Sequence, residues 1–89
     1  MLESLLSNPM EKTFTTLRLK KAHAIEFRID NPTNDAIDAV TKFVGFSNSH
    51  SITEESAEIC FYADSINDQV IVDEFRNQLI SVGYVQLTY

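Results

Sequence analysis

The fold is decided by residues 24–45, which read AIEFRIDNPTNDAIDAVTKFVG and contain a strand, a turn and a helix in succession. Ile25, Phe27 and Ile29 alternate with charged residues, which predicts a strand over 24–29 with one apolar face. The polar residues 30–34, which include a proline, then break the strand.

A first helix is predicted over 34–44. Thr33 or Asn34 can cap its amino terminus, because both side chains offer an oxygen to the unpaired amides of the first turn. Its apolar residues recur three and four apart, as the buried face of a helix requires. Gly45 is expected to end this helix in the left-handed conformation. The apolar positions are Ile37, Val40 and Val44, flanked by Ala36 and Phe43.

The second half of the chain repeats the alternation of strands and a helix. Residues 57–62 alternate as a strand that should pair with the first in the middle of the sheet, and residues 46–52 could hold a weak edge strand. Ser65 and Asp68 resemble a capping box. The helix that follows should end at Gly83, and a last strand is predicted over 84–89. The expected buried stripe of the second helix is Ile66, Val70, Phe75, Leu79 and Val82.

Residues 22–89 therefore predict a single α+β domain with the order strand, helix, strand, strand, helix, strand. This is the ferredoxin-like split βαβ arrangement, in which two helices cover one face of a four-stranded antiparallel sheet. The chain is long enough for one modest core. The opposite face of the sheet should then carry Ala24, Glu26, Arg28, Glu58, Cys60, Tyr62, Tyr84, Gln86 and Thr88.

Residues 1–21 are predicted to be an extension of this domain, and two interpretations of residues 8–21 stay open. Pro9 after Asn8 is a good helix start, and the lysines at 20 and 21 suit a helix end. Residues 13–19 are instead rich in strand-forming side chains that alternate properly. We favour the strand.

Composition limits the environment and the chemistry. Cys60 is the only cysteine, which rules out an intrachain disulfide and favours a reducing, cytoplasmic setting. The amino terminus lacks the positive charge of a signal peptide, and no apolar run is long enough to span a membrane. The two glycines are both assigned to helix ends, so phosphate-binding loops are not predicted. His23, His50 and Cys60 are far apart in sequence, unlike metal ligands. We therefore expect no enzyme activity, no cofactor and no metal site.

Charge is the positive signal. Residues 1–30 carry five basic and four acidic side chains, whereas residues 31–89 carry nine acidic side chains against Lys42 and Arg76. A surface this acidic repels nucleic-acid phosphates and anionic lipids, so neither nucleic acid nor a membrane is an expected partner. The only candidate basic patch, which an ordinary solvated surface also explains, is Arg18, Lys20, Lys21, His23 and Arg28.

The acids predict a protein partner with a basic surface if they lie together in the fold. The candidate residues are Asp35, Asp38, Glu54, Glu55, Glu58, Asp64, Asp68, Asp73 and Glu74. Acids also keep a small protein soluble and stabilise helix starts, which explains the same residues without a partner.

Two functions follow as hypotheses. The first is a non-catalytic acidic inhibitor or adaptor, of the kind found among phage and mobile-element proteins, that docks on nucleic-acid-handling machinery. The alternative is a homodimeric regulatory domain that pairs through its open sheet face and holds a small metabolite. Tyr62 and Tyr84 are the expected contacts of that face.

Overall fold

The computed structural model describes residues 12–87, which form an α+β domain with two helices on one side of a mixed sheet. The elements in chain order are β1 (Thr13–Leu19), β2 (Ala24–Asp30), α1 (Asn34–Phe43), a 3-10 turn (Val44–Phe46), β3 (Ser49–Ile52), β4 (Ser56–Tyr62), α2 (Ile66–Ser81) and β5 (Val85–Leu87). The prediction of a strand rather than a helix over 13–19 is confirmed. Asn8, Pro9, Thr88 and Tyr89 lie outside the described residues.

The sheet has five strands in the order β3-β4-β2-β1-β5, so the prediction of four strands is wrong. β1 pairs antiparallel with β2 and parallel with β5, and it therefore lies between the two strands that were expected to be neighbours. β2 and β4 are paired, as predicted, and antiparallel; β3 forms the edge of the sheet and pairs antiparallel with β4. Because β1 is a central strand, it belongs to the domain and is not an extension of it.

The core lies between the sheet and both helices and is built on aromatic rings. Phe27 is fully buried at its centre, with the rings of Phe14, Phe61 and Phe75 at 5.9, 5.9 and 4.9 Å between centroids. Such tilted and edge-on contacts are the favoured geometries of aromatic pairs. Ala36, Ala39 and Val40 of α1 and Val72, Phe75 and Leu79 of α2 complete the same cluster.

Helix α1 begins where it was predicted but ends differently. The Thr33 hydroxyl accepts from the amide of Ala36 at 3.2 Å, which makes Thr33 the cap. Gly45 does not adopt the left-handed conformation; the helix instead tightens into the 3-10 turn, in which Ser47 donates its amide to the Val44 carbonyl. The prediction of a left-handed stop at Gly45 is therefore wrong.

Helix α2 begins with the predicted capping box. The Asp68 amide donates to the Ser65 hydroxyl at 3.0 Å, and the Ser65 amide donates to the Asp68 carboxylate at 3.1 Å. The predicted buried stripe is wrong in its first half, since Ile66 is 80 % exposed and Val70 is 49 % exposed. The first turns of α2 precede the part of the helix that packs on the core, which begins at Val72.

Gly83 ends α2 as predicted, with a φ of 94° that suits glycine. The amide of Tyr84 donates to the Leu79 carbonyl, and Val85 then pairs with Thr13 at the start of β5. Gln86 lies on the helix side, where it accepts from Arg76 at 2.8 Å and donates to Thr16 at 3.3 Å. The predicted facing of the last strand is thus inverted.

Candidate protein-binding surface

The nine candidate acids do not form one surface. Asp30 pairs with Ser56 at one end of the sheet, and Ala24 pairs with Tyr62 at the other end. The two ends are about 20 Å apart, because β2 joins them with seven extended residues. α1 starts at the first end and α2 at the second. Asp35, Asp38, Glu54 and Glu55 therefore belong to one end, Asp64 and Asp68 to the other, Glu58 to the open sheet face, and Asp73 and Glu74 to the helix layer.

Several of these acids have partners within the chain. Asp73 accepts a hydrogen bond from Arg76 at 2.8 Å, and the Asp64 carboxylate lies 3.6 Å from a ring nitrogen of His23. Asp68 is part of the capping box of α2. The His23–Asp64 contact is exposed on both sides, and Asp73 is exposed although its partner Arg76 is 27 % exposed; contacts this open to solvent contribute little to stability. The separation of the acids removes the support that a single acidic patch would have given to a partner-binding role.

The candidate basic patch is also divided. Arg18 pairs with Ile25 on the helix side of the sheet, whereas Arg28 pairs with Thr15 on the opposite face. Lys20, Lys21 and His23 lie in the turn between β1 and β2.

The two tyrosines have different surroundings. Tyr62 is 51 % exposed on the open face, as predicted. Tyr84 is only 4 % exposed, because its ring packs in the core and its hydroxyl bonds both the amide and the hydroxyl of Thr33 at 3.1 Å. Tyr84 is therefore a structural residue that joins the end of α2 to the start of α1, and its predicted place on the open face is wrong.

We call the face of the sheet opposite the helices the open face, because no element within residues 12–87 covers it. The pairing registers place four rows of side chains across it. From the Asp30 end to the Ala24 end these are Val85-Thr13-Asp30-Ser56, Leu87-Thr15-Arg28-Glu58-Ser51, Leu17-Glu26-Cys60-Ser49 and Leu19-Ala24-Tyr62.

The open face divides into an apolar half and a charged half. The apolar half lies on β1 and β5, where Leu17, Val85 and Leu87 are 53, 48 and 44 % exposed. Leu87 is the diagonal neighbour of Leu17, and the half-buried Leu19 follows Leu17 on the same face of β1; we call Leu17, Leu19, Val85 and Leu87 the leucine strip. Exposed apolar residues that are contiguous, unlike single ones, mark interaction surfaces.

The charged half is centred on Arg28. Its guanidinium lies 3.3 Å from the carboxylates of both Asp30 and Glu58. Glu26 lies two residues away on the same face, next to Leu17 in the register. Three acids around one arginine leave this half negative and place it directly beside the leucine strip.

Cys60 lies on the floor of a pocket of about 110 Å³ lined by Glu26, Ser49, Ser51 and Glu58 among others. Burial, and secondarily the nearby Glu26 carboxylate, raise the pKa of its thiol above that of an ordinary cysteine, although hydrogen bonds with the side chains of Ser49 and Asn48 oppose the shift. A thiol in this state is a weak nucleophile at neutral pH. Among residues 12–87, no three metal-ligating side chains come together.

The leucine strip was missed by sequence reasoning. The alternation of Leu17 and Leu19 with charged residues was visible, but the facing of Val85 and Leu87 depends on the register of β5. Neither of the helices within residues 12–87 has the length and hydrophobicity that a membrane crossing requires. The chain matches no protein-family model, no curated protein and no solved structure.

Proposed function

We propose that this chain is a non-catalytic protein-binding module that contacts its partner through the open face. The observation that supports the proposal is the leucine strip, whose side chains remain about half exposed on a rigid sheet. Burying the exposed half of one such side chain would contribute about 1 kcal/mol to binding. Several of them together can support a specific complex.

The charged half defines the chemistry of the partner. Glu26, Asp30 and Glu58 outnumber Arg28 on this face, and the whole chain carries a net charge of −6. A partner that places an apolar patch on the strip and basic residues beside it would be complementary. An inhibitor or adaptor role on a nucleic-acid-handling protein fits this chemistry, because such proteins present basic surfaces.

The test uses paired affinity capture from the native host. Baits are the natural chain, Leu17→Lys, and the control Asn77→Lys, which adds the same charge on an exposed position of α2. The proposal expects a protein retained by the natural chain and the control, and bound at least about tenfold more weakly by Leu17→Lys. A captured protein that all three baits retain equally would contradict it.

Salt separates the contribution of the charges from that of the strip. The affinity of the captured protein should fall as ionic strength rises, since Asp30 is exposed, Glu26 and Glu58 are partly exposed, and salt screens charges that solvent reaches. Glu58→Gln should reduce that salt dependence. An affinity that is the same at low and high salt would remove the basic partner from the proposal while leaving the strip in it.

The second candidate function is a homodimeric regulatory domain that binds a small metabolite on the open face. It is favoured by a pocket of about 300 Å³ beside Thr15, Leu17, Glu26 and Arg28. This volume is at the lower limit of small-molecule sites. Native mass spectrometry of the purified chain distinguishes the candidates, since a dimer carrying a bound small molecule supports the second and a bare chain opposes it.

Fold relationship and location belong to the same proposal. Without β1, the remaining elements follow the ferredoxin-like order, and we propose that β1 is inserted into such a fold between its first and last strands. We also propose a cytoplasmic location, which suits a chain whose one cysteine is free and buried.

A further inference from the structure

The outer edge of the sheet at β3 is the second surface of interest. Within residues 12–87, β3 pairs with β4 on one side only, and all four residues of β3 are exposed. An edge strand presents unpaired amides and carbonyls that can pair with another chain. The backbone groups and side chains of β3 that point away from β4 determine what this edge can bind.

The hydrogen bonds to β4 determine which backbone groups are unpaired within the sheet. The Thr53 amide donates to the Ser56 carbonyl at 2.8 Å, so these two residues form a hydrogen-bonded pair. The Asn48 amide donates at 2.7 Å to the carbonyl of Cys60, which is the register partner of Ser49, so two residues oppose Cys60 and the regular alternation ends there. The register pairs Ser51 with Glu58 and Ser49 with Cys60. Because antiparallel pairs alternate, the backbone groups of Ser49, Ser51 and Thr53 point to β4, and those of His50 and Ile52 point away from the sheet.

Charged side chains and proline are two of the features that protect an edge strand from pairing with a second copy. Residues 49–53, Ser-His-Ser-Ile-Thr, contain no acidic side chain, lysine, arginine or proline, although the chain as a whole carries thirteen acids. Phe46, three residues before β3, is 61 % exposed, and Ile52 is 36 % exposed. The edge is thus the uncharged part of a strongly acidic chain.

We propose that two copies of this chain pair through β3 into one continuous ten-stranded sheet. An antiparallel register centred on Ser51 opposes His50 to Ile52 of the second copy, and Ile52 to His50 of the second copy. This register pairs every outward amide and carbonyl of His50 and Ile52, giving four hydrogen bonds across a two-fold axis. A register shifted by one residue would pair none of them.

The side chains are compatible with the same register. Ser51 faces Ser51 of the second copy, and Thr53 faces Ser49 of the second copy, so no like charges are opposed. Glu54 falls opposite Asn48 of the second copy. The apolar Ile52 packs beside His50 of the second copy on the helix side of the sheet, because Ile52 pairs with the inward-facing Ala57. The side chains of Ser49 and Ser51 lie on the open face, but the backbone edge of β3 is at the opposite side of the sheet from the leucine strip, so failure of this pairing leaves the proposed function standing.

The first test is the mass of the full chain in solution by light scattering, across a dilution series. The proposal expects twice the chain mass of 10.1 kDa at the higher concentrations. Ser51→Lys and Ser51→Glu each place like charges opposite one another at the two-fold axis and should each run at the monomer mass. An equimolar mixture of the two variants should recover the dimer, while Asn77→Lys should remain dimeric alone.

Hydrogen exchange provides a readout that misfolding would not reproduce. In the natural chain the amides of His50 and Ile52 should be protected, and Ser51→Lys should expose those two while the Thr53 amide, which bonds β4, stays protected. A natural chain that is monomeric throughout the dilution series overturns the proposal. A dimer that survives Ser51→Lys but is broken by Leu17→Lys also overturns it, because the copies would then pair through the open face.

Discussion

Replacing Tyr84 by phenylalanine removes one oxygen from a partly buried site and tests the placement of residues 84–87. The hydroxyl of Tyr84 bonds the amide of Thr33 and the hydroxyl of Thr33, each at 3.1 Å, and the residue is 4 % exposed. The Thr33 hydroxyl would keep its bond to the Ala36 amide, but the Thr33 amide would lose its acceptor.

The expected cost follows from these two bonds. A hydrogen bond contributes about 1 kcal/mol net, and a buried donor left without a partner costs about 1–3 kcal/mol. Because this site is only partly closed, we expect Tyr84→Phe to lower the free energy of unfolding by about 1–2 kcal/mol. In a domain of this size that lowers the midpoint of thermal unfolding by about 5–10 °C.

Urea unfolding of both variants in parallel measures the difference. The control is Tyr62→Phe, which removes the same oxygen from a half-exposed ring on the open face and should change stability by less than about 0.5 kcal/mol. The slope of the transition should be unchanged, so that the shift in midpoint reports stability alone. Equal stabilities for the two variants would refute the placement of Tyr84 in the core.

Three further outcomes are expected. Asp68→Ala should lower the free energy of unfolding, measured in urea, by about 1 kcal/mol because the capping box is lost. Asp73→Ala on the same helix should lower it by less than about 0.5 kcal/mol, and equal losses would contradict the assignment of the cap. Gly83→Ala should lower the free energy of unfolding by about 1–2 kcal/mol, because the φ of Gly83 is 94°. Gly45→Ala should leave stability unchanged or raise it, because no atom lies where the added methyl group would go; the reverse order would contradict the assigned conformations. Alkylation of Cys60 by iodoacetamide should be slow at neutral pH and should level off at a higher pH than alkylation of an unburied cysteine, because burial raises the pKa of the thiol and less of the reactive thiolate is present at each pH. Glu26→Gln should shift that profile to lower pH, and fast alkylation at neutral pH would contradict the buried thiol.

The elements of the fold were predictable because their signals are local. The alternation over 24–29 and 57–62 and the Ser65–Asp68 capping box depend on neighbours within a few residues. The position of β1 was not predictable, because its pairing with β5 joins Thr13 to Val85 across nearly the whole chain. No local feature of 13–19 indicates that this strand separates β2 from β5.

The prediction of which side chains of β5 point to the helices was wrong for a related reason. Val85 and Leu87 are apolar and were assigned to the core, but a shift of one residue moves every side chain of a strand to the opposite face. Gln86 is accommodated on the helix side because Arg76 and Thr16 satisfy its amide. Only the tertiary structure supplies those partners.

The sequence did not reveal how far apart the candidate acids lie, because that distance depends on how the helices and strands are arranged. Seven of the nine acids are exposed, and Glu58 and Asp68 are partly buried, but topology places the starts of α1 and α2 at opposite ends of the sheet. The sequence gives the number of charged side chains but not the distances between them in the folded chain. The leucine strip likewise exists only once β1 and β5 are side by side.

The most direct measurement of the central claim is a methyl NMR titration of the labelled chain with the captured partner. The account predicts that the methyl signals of Leu17, Val85 and Leu87 shift or broaden, while those of Ile66 and Ile80, which are 80 and 50 % exposed on α2, do not change. Changes confined to the α2 isoleucines, with the leucine strip unaffected, would contradict the claim that the open face is the binding surface.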